Sequence, residues 1–281
     1  MEVDHRRVYE PWQEGLDITI NHVINRDVRK KIGIVRNNIK RIGEESLWMA
    51  RHLSYRRSEE NDRLAVEWLR YGSKAYAAYF ELAREPKKKQ TIRILDLPPV
   101  TWDGRGIIDD GMISALDWQE AYFLAAVMRD RESMDSLARF PVDLLRKSAT
   151  KNESPEYLLV EAIQSLHLGR PDYETRMTGF TRTFDMRSAS DWIMYITMGK
   201  FETMVALTQI LDLDFNAILA KHLGSHRRYY ERHTPENIEP VDSWIAIALL
   251  GMACMAHDKG DPVTVESDYI PRFLIEGTYL F

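Results

Sequence analysis

The chain has 281 residues, 44% of them hydrophobic and 29% charged, a balance typical of a soluble globular protein rather than a disordered or collagenous one. Its net charge of −5 and pI near 5.9 argue against direct binding to nucleic acid. The start, MEVDHRRVYEPWQEG, has no apolar stretch after its charges, and the apolar run at 244–256 is shorter than the roughly 20 residues that span a bilayer. With Cys254 as its one cysteine, the chain can form no intramolecular disulfide, so we expect a cytoplasmic protein that is neither secreted nor in a membrane.

The first part of the chain is predicted to be helical. After a first helix that ends at Ile42, two further helices are indicated at 44–57 and 61–84. Seven bases and one acid lie between residues 26 and 41, mostly off the apolar face of the first helix, and we interpret them as a solvated face because no aromatic residues are interleaved with them. The first helix is predicted from apolar residues at steps of three and four: Ile20, Ile24, Val28, Ile32, Val35, Ile39 and Ile42.

A loop-rich region follows these helices. The charged segment EPKKKQ at 85–90 predicts an exposed loop. The next segment, TIRILDLPPV, alternates apolar and polar residues and predicts one short strand that stops at Pro98 and Pro99. The stretch TWDGRGIIDDGM at 101–112 holds three glycines and three aspartates and predicts a long irregular loop, where binding residues are often found.

The rest of the chain is predicted to be helical. The helix at 115–130 is apolar almost all round, which places it in the centre of a bundle. The fold class is therefore all-α: a multi-helix bundle of stacked antiparallel helix hairpins with one or two very short strands, forming a single domain over 1–281. Further helices are indicated after Pro141, from Ser154 to Gly169, and at about 189–211, 214–232 and 242–258.

One segment near the end, AHDKGDP, raises a metal-enzyme interpretation. It resembles the His-Asp signature of the HD phosphohydrolases, with His257 and Asp258 as ligands and His222 or His226 as the upstream ligand. Too little chain remains after Asp258 for the helices that deliver the last aspartate in that family. Asp261 and Asp268 are too local to replace it, and Gly260 followed by Pro262 already predicts a helix stop without metal. P-loop, dinucleotide, zinc-protease and serine-hydrolase motifs are absent from the sequence.

Five segments occur in this order: WQEAYFLAAVMRD, LARFPVDLLRKS, EYLLVEAIQSL, DFNAILAKHLGSHRRYY and LLGMACMAHDKGDPVTVESDYIPRFLI. Together they resemble the immunity protein 49 family of bacterial polymorphic toxin systems. They cover about two thirds of the chain, clearest over 92–281, whereas 1–90 matches only in helical character. The last segment is the most specific, because an Ala-Cys helix and an Asp-x-Gly turn lead there into Val-Glu-Ser-Asp-Tyr-Ile-Pro.

This resemblance implies an α-helical, non-catalytic cytoplasmic protein that binds and neutralises a cognate toxin in the producing cell. It implies no catalytic residue, metal, cofactor or small-molecule substrate, and a toxin protein as the partner. A nuclease is one candidate for that toxin, because acidic inhibitors associate rapidly with basic targets. A metal-dependent phosphohydrolase and a helical scaffold with another partner stay open as alternatives, and the toxin's activity and the oligomeric state are left open.

The family-motif residues are interpreted as structural. Arg129 and Asp130, on the central helix with Trp118, are expected to form a pair that braces the bundle end. Ser267 or Asp268 is expected to cap a helix that starts near Pro271. The full set is Trp118, Arg129, Asp130, Asp258, Gly260, Glu266, Ser267, Asp268, Tyr269 and Pro271.

Toxin contacts are expected instead on surfaces that vary freely. One such surface is the loop at 102–111, with Trp102, Asp103, Asp109 and Asp110 as candidate contacts. The other is the C-terminal helices, where twelve acids stand against six bases from Glu202 onward.

Overall fold

The structure, a computed structural model, describes residues 39–183, 187–233 and 240–280, and within them it has eleven α-helices and one two-stranded sheet. The all-α prediction with very short strands is confirmed. The sheet, β1 (Gln90–Ile92) and β2 (Val100–Trp102), lies between α2 and α3. The helices are α1 (Ile39–Tyr55), α2 (Glu59–Arg84), α3 (Ala115–Val127), α4 (Arg131–Ala138), α5 (Val142–Lys147), α6 (Ser154–His167), α7 (Tyr173–Thr183), α8 (Met198–Thr208), α9 (Phe215–His233), α10 (Ile247–Lys259) and α11 (Arg272–Ile275).

Helices α1 and α2 form a hairpin, because a three-residue turn joins them and leaves them antiparallel. Ser58 caps α2 by accepting the backbone N–H of Asn61 at 3.1 Å. The sequence predicts one helix that ends at Ile42 and another that begins at residue 44, and this separation is wrong. Helix α1 continues through Gly43, where an added Cβ would lie 2.7 Å from the Tyr76 ring, so this glycine allows close packing of the hairpin. The predicted helix at 20–42 lies mostly outside the described residues, but its last apolar residue, Ile42, is buried.

The centre of the bundle is formed by α3 and α10, which pack against each other. As predicted, α3 is buried on nearly all sides. In the described part of the chain, Val241–Lys259 is long and apolar enough to span a membrane, but 67% of its most apolar window is buried in the core. The helix predicted at 242–258 begins later, because Val241–Ser243 is a 3-10 turn and the N–H of Ala246 donates to Tyr269 O at 2.9 Å.

The small sheet differs from the predicted single strand. Strand β1 ends at Ile92, and Leu95 turns the chain with a φ of 47°. The second strand, Val100–Trp102, pairs antiparallel with β1 through Gln90 opposite Trp102. Strand β2 was predicted as loop because three residues carry too little pattern, and pairing with β1 is what makes them a strand.

The helix predicted at 189–211 contains a different local structure. A π-helical turn at Ile193–Thr197 leads into α8. Helix α8 ends at Thr208 because Gln209 adopts the left-handed conformation, with a φ of 56°. The next helix, α9, begins at Phe215, close to its predicted start.

Candidate functional site

The predicted toxin-binding loop contains two buried and two exposed candidates. Trp102 ends β2 and Asp103 follows it, and both residues are 8% exposed. Asp103 Oδ1 accepts the backbone N–H of Arg105 at 3.3 Å, which fixes the start of the loop. Asp109 and Asp110 are exposed. The four residues therefore lie close in the chain, but only two of them present their side chains to solvent.

The loop is more ordered than the predicted irregular segment. Backbone N–H groups of Asp110 and Met112 donate to Gly106 O at 2.8 Å and to Ile107 O at 3.0 Å. The hydroxyl of Thr150 donates to Gly111 O and ties the loop to the turn after α5. The loop thus holds Asp109 and Asp110 beside Met112, whose side chain is 49% exposed.

Trp118 lies in the core of the bundle. Its ring is fully buried, and its Nε1 donates to Leu137 O at 3.0 Å. It also stacks on Tyr122 with ring centroids 5.3 Å apart. The hydrogen bond joins α3 to the end of α4 and the stacking lies within α3, so the structure gives Trp118 a packing role.

Arg129 and Asp130 do not pair with each other as predicted. Helix α3 ends at Val127, and both residues lie beyond it. Asp130 is the N-cap of α4 and accepts from Ser133 Oγ at 2.6 Å and from Lys74 Nζ at 2.9 Å. Burial acts to raise the pKa of Asp130, but the bonds from Ser133 and Lys74 outweigh it and hold this pKa below its usual value.

The guanidinium of Arg129 instead joins two C-terminal elements, α10 and α11, to the end of α3. Its Nε and Nη2 each lie 3.0 Å from an oxygen of Asp258, at the end of α10. Its Nη1 donates to Leu274 O at 2.6 Å, and Nη2 donates to Ile275 O in α11. We name this set, Arg129, Asp258 and the carbonyls of Leu274 and Ile275, the C-terminal clasp.

The predicted helix stop after Asp258 is confirmed. Gly260 has a φ of 96°, its N–H donates to His257 O at 3.0 Å, and the N–H of Asp261 donates to Ala256 O at 3.0 Å. These two bonds form a Schellman motif, in which a left-handed residue ends a helix. Asp258 therefore belongs to a helix end and to the clasp.

The predicted cap of the last helix is wrong. Helix α11 has Pro271 at its N-cap position, without a side-chain hydrogen bond. Ser267 Oγ accepts the N–H of Tyr269 at 3.2 Å instead, so it stabilises the turn before the helix. Tyr269 is fully buried, Asp268 is partly buried and Glu266 is exposed.

The residues that the phosphohydrolase interpretation requires bind different partners. Within the described ranges, no three His, Cys, Asp or Glu side chains group in a way that could hold a metal ion. His222 Nε2 lies 2.8 Å from Glu202, His226 Nε2 lies 2.9 Å from Ser243 O, and Asp258 is held by Arg129. Burial lowers the pKa of His226 to about 4, so its ring is neutral near pH 7.

A cavity of about 240 Å³ in the bundle is not predicted as a site by the sequence, although His222 and His226, the candidate upstream ligands of the phosphohydrolase interpretation, lie in its wall. It lies between α3, the π-helical turn, α9 and α10, and includes the buried side chain of Lys200. The one sequence signal was a lysine within the apolar stretch MGKFETMVAL. That signal gives no information on which elements surround it, so the cavity could not be predicted.

A model of the family described as immunity protein 49 matches residues 56–274, most of the chain. The chain belongs to the immunity protein 49 family. The match extends the clear resemblance from residue 92 back to the turn before α2. No curated protein and no solved structure is significantly similar to the chain. Immunity proteins of this kind are generally non-catalytic.

Proposed function

We propose that this protein binds a toxin made by its own cell and neutralises it in the cytoplasm by stoichiometric, non-catalytic blockade. The observation that carries the proposal is the family match, which runs from the turn before α2 into α11 and so includes the whole central bundle. Self-protection calls for a dissociation constant near or below nanomolar, which corresponds to about −12 kcal/mol. An interface of roughly 1,200 to 2,000 Å² is typical of such complexes.

The loop face formed by Asp109, Asp110 and Met112 is the surface that we assign to toxin contact. Two exposed acids beside a half-exposed methionine suit a basic partner patch with an apolar centre, and methionine is enriched at interfaces. Trp102 and Asp103 do not belong to this exposed face, because they are buried. A basic toxin such as a nuclease would be attracted to this face.

The test of function is co-expression with the toxin encoded beside this gene. The wild-type protein should restore growth and form a one-to-one complex in titration calorimetry. The phosphohydrolase alternative predicts stoichiometric Mn, Fe or Zn that is lost when His257 and Asp258 are replaced, and this result would overturn the proposal. The scaffold alternative predicts neither protection nor a complex.

The test of the surface is a matched pair of charge reversals. Asp109→Lys with Asp110→Lys should weaken toxin binding by about tenfold or more, because like charges then face the basic partner. Glu132→Lys with Asp143→Lys makes the same charge change at acids that are 89% and 83% exposed, and it should bind as the wild type does. Equal affinity of the two double variants would show that the loop is not part of the interface, and it would leave the proposed function unaffected.

A second exposed surface provides the alternative contact site. The turn between α8 and α9 exposes Ile210, Leu211 and Leu213, with Leu211 57% exposed, and Asp212 and Asp214 alternate with them. Apolar side chains exposed side by side often mark an interaction surface. If Leu211→Asp weakens the complex and the loop reversals do not, the toxin contacts this turn, among the acidic C-terminal helices.

A further inference from the structure

The central cavity has the size and walls of a small-molecule or side-chain pocket. Its volume of about 240 Å³ exceeds the roughly 150 Å³ that is enough to hold benzene. Trp192, Tyr195 and Tyr230 supply aromatic surface, and the mouth lies near the exposed Asp242. Aliphatic wall comes from Leu116, Ile196, Ile245, Ile247 and Leu249, and polar side chains that include His222 and His226 complete the lining.

One cation in this wall, the ammonium group of Lys200, has no ion pair among the described residues. Lys200 is 9% exposed, and its Nζ donates to Gln119 Oε1 at 2.8 Å and lies 5.4 Å from the centroid of the Trp192 ring. No carboxylate of the described chain lies within 4 Å of this ammonium group, which has three N–H donors and only one hydrogen-bond acceptor there. Burial lowers the pKa of Lys200, while the charges of Glu156 and Glu120 act to raise it.

The acids at the cavity already have cationic partners. Asp117 lies 3.1 Å from Lys40 Nζ. Glu120 accepts from Arg51 at 3.1 Å and Asp242 accepts from the same guanidinium at 3.1 Å. Arg51 keeps its Nε buried without an acceptor in the described structure. Lys200 and Arg51 therefore leave donors unmet at this cavity, which favours a ligand that brings an acceptor, while the buried Nδ1 of His222 is one unmet acceptor in the same wall of the described structure.

A buried network fixes the orientation of the lysine's partner. Glu156, 1% exposed, accepts from Gln119 Nε2 at 2.7 Å, from Trp192 Nε1 at 2.7 Å and from the hydroxyl of Thr197. Because the amide nitrogen of Gln119 is held by Glu156, its oxygen must face Lys200. Trp192 precedes the π-helical turn and Thr197 is its last residue, and such turns are frequent at functional sites.

We propose that this cavity binds a carboxylate group on a compact apolar body, with Lys200 Nζ as the cation that receives the carboxylate. The ammonium supplies two further donors, and the aliphatic and aromatic walls surround the apolar part. The carboxylate can come from a free organic acid or from an acidic side chain or C-terminus of the toxin. The second source rests on the proposed function, whereas the first is independent of it. If Lys200 only braced α3 against α8 through Gln119, the cavity would not distinguish an acid from its neutral amide.

The test uses benzoate and its neutral counterpart benzamide in titration calorimetry with the full chain. Benzoate should bind saturably to the wild type, and benzamide should bind at least about tenfold more weakly, because it lacks the charge that pairs with the ammonium. Lys200→Met should weaken benzoate binding by about tenfold or more. Lys88→Met, at a lysine that is 67% exposed beside the small sheet, should bind benzoate as the wild type does.

Circular dichroism of Lys200→Met checks that the fold is kept, and the comparison of benzoate with benzamide on the wild type needs no variant. No saturable benzoate binding to the wild type, equal binding of benzamide, or unchanged binding to Lys200→Met would each overturn the proposal.

A titration with toxin in saturating benzoate identifies the source of the carboxylate. Competition would assign the carboxylate to the toxin, and independent binding would assign it to a free acid. A wild type that bound benzoate but no toxin would contradict the proposed function alone.

Discussion

At the residue scale, Arg129 shows how a sequence motif can be recognised as structural while its partner is misassigned. The sequence places Arg129 next to Asp130, and the nearest acid was the natural expectation. Arg129 has a left-handed backbone with a φ of 53°. This conformation directs the side chains of Arg129 and Asp130 to different elements. Its guanidinium reaches Asp258, 129 positions away in the chain, and no pattern in one sequence encodes that distance.

The clasp leads to a stability prediction. Arg129→Ala should lower the free energy of unfolding by about 2 to 4 kcal/mol, because it removes charge-assisted bonds to Asp258 and to the carbonyls of Leu274 and Ile275. Arg129→Gly should lose about 1 kcal/mol less, since glycine has no steric penalty in the left-handed region. Urea denaturation measures both values.

The matched control for the clasp is Arg139→Ala. The Arg139 side chain is 59% exposed and lies 3.9 Å from Asp135, so its loss should change stability by less than about 0.5 kcal/mol. Equal effects of the Arg129 and Arg139 variants would show that the clasp does not stabilise the C-terminal elements.

A second residue-scale prediction concerns pH. His226 is buried, contacts Ser243 O through Nε2 and has a pKa lowered by burial to about 4, against a usual value of 6.5. Between these values the unfolded chain binds more protons than the folded one, so stability falls as pH drops from 6.5 to 4. His226→Gln should reduce this loss by up to about 3 kcal/mol in urea titrations at several pH values. His52 and His222 also have lowered pKa values and will leave a residual slope, and an unchanged loss would contradict a buried neutral His226.

At the element scale, the sequence predicts helices well where the local chemistry defines their ends. Ser58 and Ser114 cap α2 and α3, and Gly260 ends α10, and each of these signals lies within a few residues of the boundary that it sets. The π-helical turn and β2 were missed because other elements stabilise them: Glu156 holds the turn through Thr197, and β1 pairs with β2. Tertiary contacts of this kind leave little trace in local sequence.

The packing of α3 on α10 gives an element-scale prediction. An alanine Cβ at Gly251 would lie 2.9 Å from Phe123 O, so Gly251→Ala should destabilise the protein by about 1 to 3 kcal/mol despite better helix propensity. Gly224→Ala, in α9 with nothing within 4 Å of the new Cβ, should stabilise it by about 0.5 to 1 kcal/mol. Thermal unfolding of the two variants gives the comparison, and equal shifts would mean that the central helices can separate freely.

At the scale of the whole molecule, the candidate sites differ in how far the sequence could define them. The exposed acids Asp109 and Asp110 follow from loop composition, which is a local property. The burial of Trp102 in the same region depends on the pairing of β1 with β2 and on the core of the bundle. The cavity around Lys200 depends on five separate parts of the chain, so only the assembled fold defines it.

The N-terminal hairpin and the C-terminal part are expected to unfold as one cooperative unit, as the single-domain prediction requires. Arg51 in α1 contacts Asp242 at 3.1 Å, Tyr55 stacks on Trp244 at 4.9 Å, and buried apolar residues from Ile39 to Leu280 form one cluster. Hydrophobic contacts shared across the chain make separate unfolding of either part unfavourable. Far-UV circular dichroism and tryptophan fluorescence should therefore give the same urea midpoint. Two resolved midpoints would show that the α1–α2 hairpin unfolds separately from the segment that Arg51 and Tyr55 contact. The chain would then consist of separate domains.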